Sequence, residues 1–351
     1  SYRQNILYNS TRSISNNKIT TVVIPETVTS IGNNTFCNFY GLKNIVIPNS
    51  VQSVGSYAFY QCSAVESLSL GTGVQSIGTY AFNNCRHISG NVIIPNSTIS
   101  VGNYAFQGCS SINQLTLGTG ITQIGNYAFQ NCSGIKGKIN IPNSTTYLGT
   151  YAFYGCSQIE EVTTGTGITT INDRTFMNCN KLAKITMQNV SSIGAYAFSN
   201  TGIEGDYTIP NTVKTIGNNA FSNCLNLANI NIGSNVTSIG RDAFLNSVEL
   251  ENIVVDENNA YYSSLDGILF NKDKTILIFC PRANAKTNYV MPNTVKEISP
   301  SAFYYCNNIV GTITLSESLE IIGDSAFYNC NKIKGKLVIP DSVISINNSA
   351  F

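Results

Sequence analysis

The chain has 351 residues, a formal charge of +1 and only 11% charged side chains, against roughly 25% in an average soluble protein. With no Lys/Arg run, that balance excludes the electrostatic footprint of a nucleic-acid binder or a peripheral membrane protein. No stretch approaches the ~20 apolar residues that span a bilayer, so no direct membrane insertion is expected, and the opening SYRQNILYNS lacks the apolar core of a secretory signal.

In chain order, residues 1–17 read as an N-terminal segment or partial cap. From residue 18 to 351 one pattern returns every 23 or 24 residues, marked by Phe36, Phe59, Phe82, Phe106, Phe129, Phe153, Phe176, Phe198, Phe221, Phe244, Phe303, Phe327 and Phe351. Such a period is the signature of a solenoid, in which one coil has too little core to stand alone and stacks on its neighbours. Each unit opens on an apolar alternation such as Leu115-x-Leu117 or Ile139-x-Ile141, a short strand with one buried face. Pro95, Pro142, Gly71 or Gly118 then stops it. A corner follows at Gly32, Gly55, Gly78, Gly102, Gly125 and Gly149, replaced by Asn172 and Asn347, and this Gly/Asn interchange predicts positive φ. After Ala-Phe, the residue before the repeat Cys is mostly Asn or Gly (Asn84, Gly108, Asn131, Gly155, Asn178), which predicts a short helical turn ending in a left-handed cap. Strand ends from Ile24 to Ile339 count about fourteen coils.

The coil at 256–292 is longer than the rest. Ile268-Leu269-Phe270 and Ile276-Leu277-Ile278-Phe279 flank the polar Asn271-Lys272-Asp273-Lys274, a hairpin signal. A hairpin replacing the usual turn, decorating the convex side, is the expectation. The sequence stops at Asn348-Ser349-Ala350-Phe351 in mid-coil without a polar cap, so the native protein is expected to continue.

The I-x-[IL]-P strand, the V-x-x-I-G corner, A-F-x-x-C and the hairpin coil DGILFNKDKT together resemble the BspA-like, treponemal-type leucine-rich repeats over nearly all of residues 18–351. The resemblance implies a leucine-rich-repeat solenoid of the α/β horseshoe class, β-rich, with a parallel sheet on the concave face and short helical turns. It also implies a cell-surface or secreted microbial protein that adheres to protein or glycan macromolecules, such as host matrix or cell-surface components. No motif of the family assigns ligand residues.

Catalytic chemistry finds little to work with. Nine of the eleven cysteines, Cys62, Cys85 and Cys109 among them, sit three residues after the repeat Phe, one per coil, whereas a metal site needs converging pairs. Stacked Cα atoms about 5 Å apart permit disulfides between coils, but Thr201 and Ser247 stand in the Cys position of two coils, as fits a small buried residue and free stacked thiols. His87 is the only histidine, which leaves no His-based triad or multi-histidine centre and reads as a turn residue. Asp256, Glu257, Asp266 and Asp273 lack EF-hand spacing. The Gly-Thr-Gly segments lack the ending of a phosphate loop. The chain therefore reads as a non-enzyme without cofactor or metal, a binding protein in the first reading and a structural or scaffolding repeat protein in the alternative.

Two faces are candidates for binding. The outward strand position holds Thr116, Asn140, Thr163, Thr186, Thr208 and Asn231, each preceded two residues earlier by Gln114, Lys138, Glu161, Lys184, Asp206 and Asn229, a hydrogen-bonding surface assigned to the concave side. Tyr57, Tyr80, Tyr104, Tyr127, Tyr151 and Tyr196 stand two before the Phe, where each ring can stack on the next.

Overall fold

The structure, a computed structural model, describes residues 17–351, so all of the segment 1–17 except Asn17 lies outside the described residues. The architecture is a parallel β-solenoid of about fourteen turns. It divides into two compact units: the residues up to Val190 with Ala197–Thr201, and Ser191–Tyr196 with Gly202–Phe351.

In the first unit, the strands predicted from apolar alternation pair in parallel with the same strand of the next coil. Gly137–Asn140, Ile159–Thr163 and Lys184–Thr186 form one three-stranded sheet, with Ile139, Val162 and Ile185 in register and turned into the core. Two-residue strands line a second side, six of them in parallel from Ser30–Ile31 to Tyr147–Leu148. Each contributes one inward aliphatic: Ile31, Val54, Ile77, Val101, Ile124 and Leu148 are all buried. The second unit repeats the scheme, with Glu204–Thr208, Asn226–Ile232 and Asn252–Val255 on one side and Ser192–Ile193, Thr215–Ile216 and Ser238–Ile239 on the other.

The third side of the coil corrects the expectation of short helical turns: no helix occurs among the described residues. From Tyr57 to Cys62 the backbone donors alternate. Ala58, Tyr60 and Cys62 donate back three residues to Gly55, Tyr57 and Phe59, while Tyr57, Phe59 and Gln61 donate to Thr79, Ala81 and Asn83 of the next coil. A helical turn makes its N–H bonds only to carbonyls of its own segment; here three of six N–H groups are spent on holding coil to coil. The alternation needs two left-handed residues four apart, Tyr57 (φ 57) and Gln61 (φ 56). The second is the left-handed position read from the Asn/Gly pattern, and Asn84, Gly108, Asn131, Gly155 and Asn178 all have positive φ there. The first is occupied by Tyr57, Tyr80, Tyr104, Tyr127 and Tyr151, residues that the left-handed region disfavours.

The corner glycines are a second correction. Gly55, Gly78, Gly102, Gly125 and Gly149 do not have positive φ. They are glycine because coils approach too closely for a side chain: a Cβ on Gly55 would lie 2.6 Å from the backbone N of Asn33. Before the Cys, Asn and Gly interchange because both accept positive φ; at the corner close approach sets Gly, and Asn172, without positive φ, stands there with its Nδ2 donating to the Leu148 carbonyl at 2.6 Å, a difference that the sequence pattern alone does not show.

The repeat phenylalanines are the core. Phe59, Phe82, Phe106, Phe129, Phe153, Phe176 and Phe198 are at most 1% exposed, and rings of adjacent coils stack with centroids 5.3 Å apart for Phe59 and Phe82 and 5.2 Å for Phe129 and Phe153. Burying each such ring contributes about 1.5–3 kcal/mol. All eleven cysteines are free, and those at the repeat position of the inner coils are fully buried.

The irregular coil is a three-stranded antiparallel element, not a decoration. Tyr262–Leu265 pairs with Ile268–Asn271, which pairs with Ile276–Phe279. The hairpin read from 271–274 is present. A second, tighter one turns at Asp266 (φ 53) and Gly267 (φ 80), the Asp-Gly pair that two-residue hairpins favour. Ile268, Leu269, Phe270 and Leu277 are completely buried, because the inserted strands complete the core of this coil. Ile276–Phe279 then joins the short-strand side by pairing in parallel with Glu297–Ile298.

Candidate functional site

The side chains that a macromolecule would meet on the longer strands are fixed by the period-two alternation that buries their neighbours. In the first unit, Lys138, Glu161 and Lys184 stand in register on three adjacent strands. Lys138 Nζ lies 3.0 Å and Lys184 Nζ 3.7 Å from Glu161 Oε1. The Lys138 hydrogen bond, opposed by burial and helped by both lysine charges, holds the Glu161 carboxyl below its ordinary range. Beside this charged column run Asn140, Thr163 and Thr186, also in register. Gln114 and Thr116 lie on the strand Ile112–Thr116, paired with Asn91 and Ile93, and Thr116 Oγ1 lies 3.4 Å from Asn91 Oδ1.

In the second unit the equivalent column is uncharged except at one end. Asn229 Nδ2 donates to Asp206 Oδ1 at 2.6 Å, and Asn252 Nδ2 donates to Asn229 Oδ1 at 2.8 Å. Next to it Asn231 Nδ2 donates to Thr208 Oγ1 at 3.1 Å. Each unit thus brings its own share of the predicted residues together as ladders one strand apart, with part of their hydrogen-bonding capacity turned toward one another.

The same outward register also holds apolar residues outside the predicted polar set. Val46, Ile93, Val254 and Val290 occupy it, exposed by 61%, 56%, 49% and 67%. The signal was available, since each sits between the two inward apolar residues of its strand. The face is therefore mixed, with β-branched apolar side chains among Thr and Asn. Lone exposed aliphatics need no explanation, but recurrence at one register makes a shared surface.

The tyrosine column is also observed. Tyr57, Tyr80, Tyr104, Tyr127 and Tyr151 stack with centroids 4.5–4.8 Å apart, and the Arg174 guanidinium lies over Tyr151 at 5.4 Å. The ring faces are spent on one another, so the column offers solvent mainly edges and hydroxyls. Tyr196 belongs to the second unit. His87 is exposed, and its Nδ1 lies against the Ser63 carbonyl. Among the described residues no group of three His, Cys, Asp or Glu is placed to hold a metal ion, and no helix is long and apolar enough to cross a membrane.

A stack of parallel coils with an inward Phe–Cys ladder and an outward polar face defines a repeat protein of the leucine-rich-repeat class. The pattern of the BspA type leucine-rich repeat region, in 6 copies, matches residues 10–90, 89–204, 191–274 and 279–351, and the chain belongs to that family. It is similar to a leucine-rich repeat protein from Bacteroides ovatus, with 26% identity over 91% of this chain and 78% of the other and a TM-score of 0.72. A leucine-rich repeat protein from Eubacterium ventriosum is 31% identical over 60% of this chain and 55% of the other, with a TM-score of 0.55. No curated protein matches the chain. The family is one of binding scaffolds, and no enzymatic family is indicated.

Proposed function

We propose that the chain is a non-catalytic adhesion protein of a microbial cell surface that recognises protein or glycan macromolecules, host matrix or cell-surface components foremost, through the outward face of its longer strands. The observation that carries this reading is the recurrence of exposed Val, Ile, Thr and Asn at one register. Such a face gives an extended partner small apolar contacts and hydrogen-bonding groups at each coil. Membership of the family supports the choice of partner class and of location. Gln114, Thr116, Lys138, Asn140, Glu161, Thr163, Lys184 and Thr186 are the contact residues in the first unit, and Asp206, Thr208, Asn229 and Asn231 in the second.

The test is binding of the intact protein to immobilised matrix proteins and to host cells, compared with a variant carrying glutamates at Thr116, Asn140, Thr163 and Thr186. The variant is expected to fold, by circular dichroism, and to lose binding. Salt should weaken wild-type binding far less than it weakens a phosphate-dominated contact, because Lys138 and Lys184 share the Glu161 carboxylate and leave a single net positive charge. Unchanged binding by the folded variant removes the strand face from the function.

A further inference from the structure

The short-strand side is interrupted in the second unit. Ser238–Ile239 is the last strand of its sheet, and the next coil supplies Ile276–Phe279 to a different one. Between them lies a cleft of about 510 Å³, within the usual size range of ligand sites. Its apolar lining includes Ile239, Phe244, Ile276, Ile278 and Phe279. The edge strand is met by a side chain instead of a strand, for Ile239 N–H donates to Tyr262 Oη at 2.9 Å. In a parallel ladder the N–H and C=O of one residue point to the same side. The Ile239 carbonyl therefore faces the cleft too, and no strand takes it up.

The charged groups of the cleft are Arg241, Asp242 and Glu297, a net charge of one negative. Arg241 Nε lies 3.4 Å from Asp242 Oδ2, with the arginine side chain 62% exposed and the aspartate 19%. The half-buried Glu297 carboxylate has neither an ion pair nor a hydrogen bond among the described residues. Burial raises the Asp242 carboxyl above its ordinary range even though Arg241 opposes the shift, so a further cation near it would relieve a desolvated charge.

We propose that this cleft binds an extended peptide segment of a partner protein in which a lysine adjoins an aliphatic residue. A backbone N–H of the segment donates to the Ile239 carbonyl, extending the interrupted sheet as strand-addition complexes do. The aliphatic side chain packs among Ile239, Ile276 and Phe279. The lysine stem lies along apolar wall while its ammonium reaches Glu297, with Asp242 as the second acceptor. This site is separate from the longer-strand face and does not depend on the function assigned to it.

The experiment titrates the intact protein, methyl-labelled at isoleucine, with a capped tripeptide of lysine between two valines, and with the same peptide carrying norleucine in place of lysine. Saturable shifts are expected at the methyls of Ile239, Ile276 and Ile278, with the norleucine peptide about tenfold weaker, or 1.4 kcal/mol. Glu297→Gln should bring the lysine peptide close to the norleucine level, and Asp242→Asn, tolerated because Asn suits the positive φ of this position (φ 57), should weaken it in part. Equal binding of the two peptides, shifts confined to other isoleucines, or no saturation by about 10 mM overturns the proposal.

Discussion

The Cys109 thiol donates to the backbone carbonyl of Phe82, in the preceding coil, at 3.1 Å. That carbonyl already accepts the Cys85 N–H at 3.2 Å, so the thiol occupies its second lone pair. Cys85, Cys132, Cys156 and Cys179 repeat the bond to Phe59, Phe106, Phe129 and Phe153. In one coil without the repeat Cys, Ser247 Oγ makes the same bond to Phe221 at 2.9 Å, and in another Thr201 Oγ1 donates to the Phe198 carbonyl of its own coil at 2.8 Å. The position therefore asks for a small donor, not for sulfur chemistry. Cys109→Ser should stay within about 1 kcal/mol of the wild type, and Cys109→Val, which lacks the donor, should cost about 1 kcal/mol more than Ser. Urea midpoints of the two variants decide it; a valine variant as stable as the serine one means the thiol bond contributes nothing.

Burial pushes the Cys109 thiol from its ordinary 9.0 up to about 12, and the Cys330 thiol likewise up to about 12. A thiol whose pKa is raised on folding keeps its proton when the unfolded chain has begun to lose it. Stability is then full below about pH 9 and falls as pH rises from there toward about pH 12. Urea midpoints should drop between about pH 8 and pH 10.5, and the drop should be smaller in Cys109→Ser. A slope that this replacement leaves unchanged assigns the alkaline loss to other groups.

Phe129 and Tyr127 both stack on equivalents in neighbouring coils, but only Phe129 is fully buried. Phe129→Ala should cost about 3–5 kcal/mol. Tyr127→Asn should cost about 1 kcal/mol or less, because relief at φ 58 offsets part of the lost stacking. Coincident thermal or urea midpoints would show that the ring ladders carry equal weight, against the burial seen here.

Two glycine exchanges separate space from conformation. Gly125 lacks positive φ, yet a Cβ there would lie 2.6 Å from the backbone N of Asn103. Gly125→Ala should therefore destabilise by more than the usual few tenths of a kcal/mol of a surface change. Asn84→Gly, at φ 58, should be close to neutral, since glycine accepts that conformation freely. If differential scanning calorimetry finds the alanine variant as stable as wild type, the corner is not close-packed.

The sequence by itself determined the coil, its period, the inward Phe and Cys, the outward Thr and Asn register and the left-handed residue before each Cys. These follow from a repeated local pattern, in which burial forces the same residue type at the same place, so one chain reads as many copies of one experiment. Tertiary structure alone decided how the turn between Gly55 and Cys62 spends its hydrogen bonds. Its sequence is compatible with a helical turn, but Phe59 N–H reaches Ala81 in the next coil, an acceptor that exists only once coils are stacked. The corner glycines were settled in the same way, by the approach of Asn33 to Gly55. So were the ladders at Lys138, Glu161 and Lys184 and at Asp206, Asn229 and Asn252, and the cleft beside Ile239. Residues 23 apart become neighbours through strand register, and although the length of the coil at 256–292 marks it as irregular, the cleft exists only where its strands meet the edge strand Ser238–Ile239.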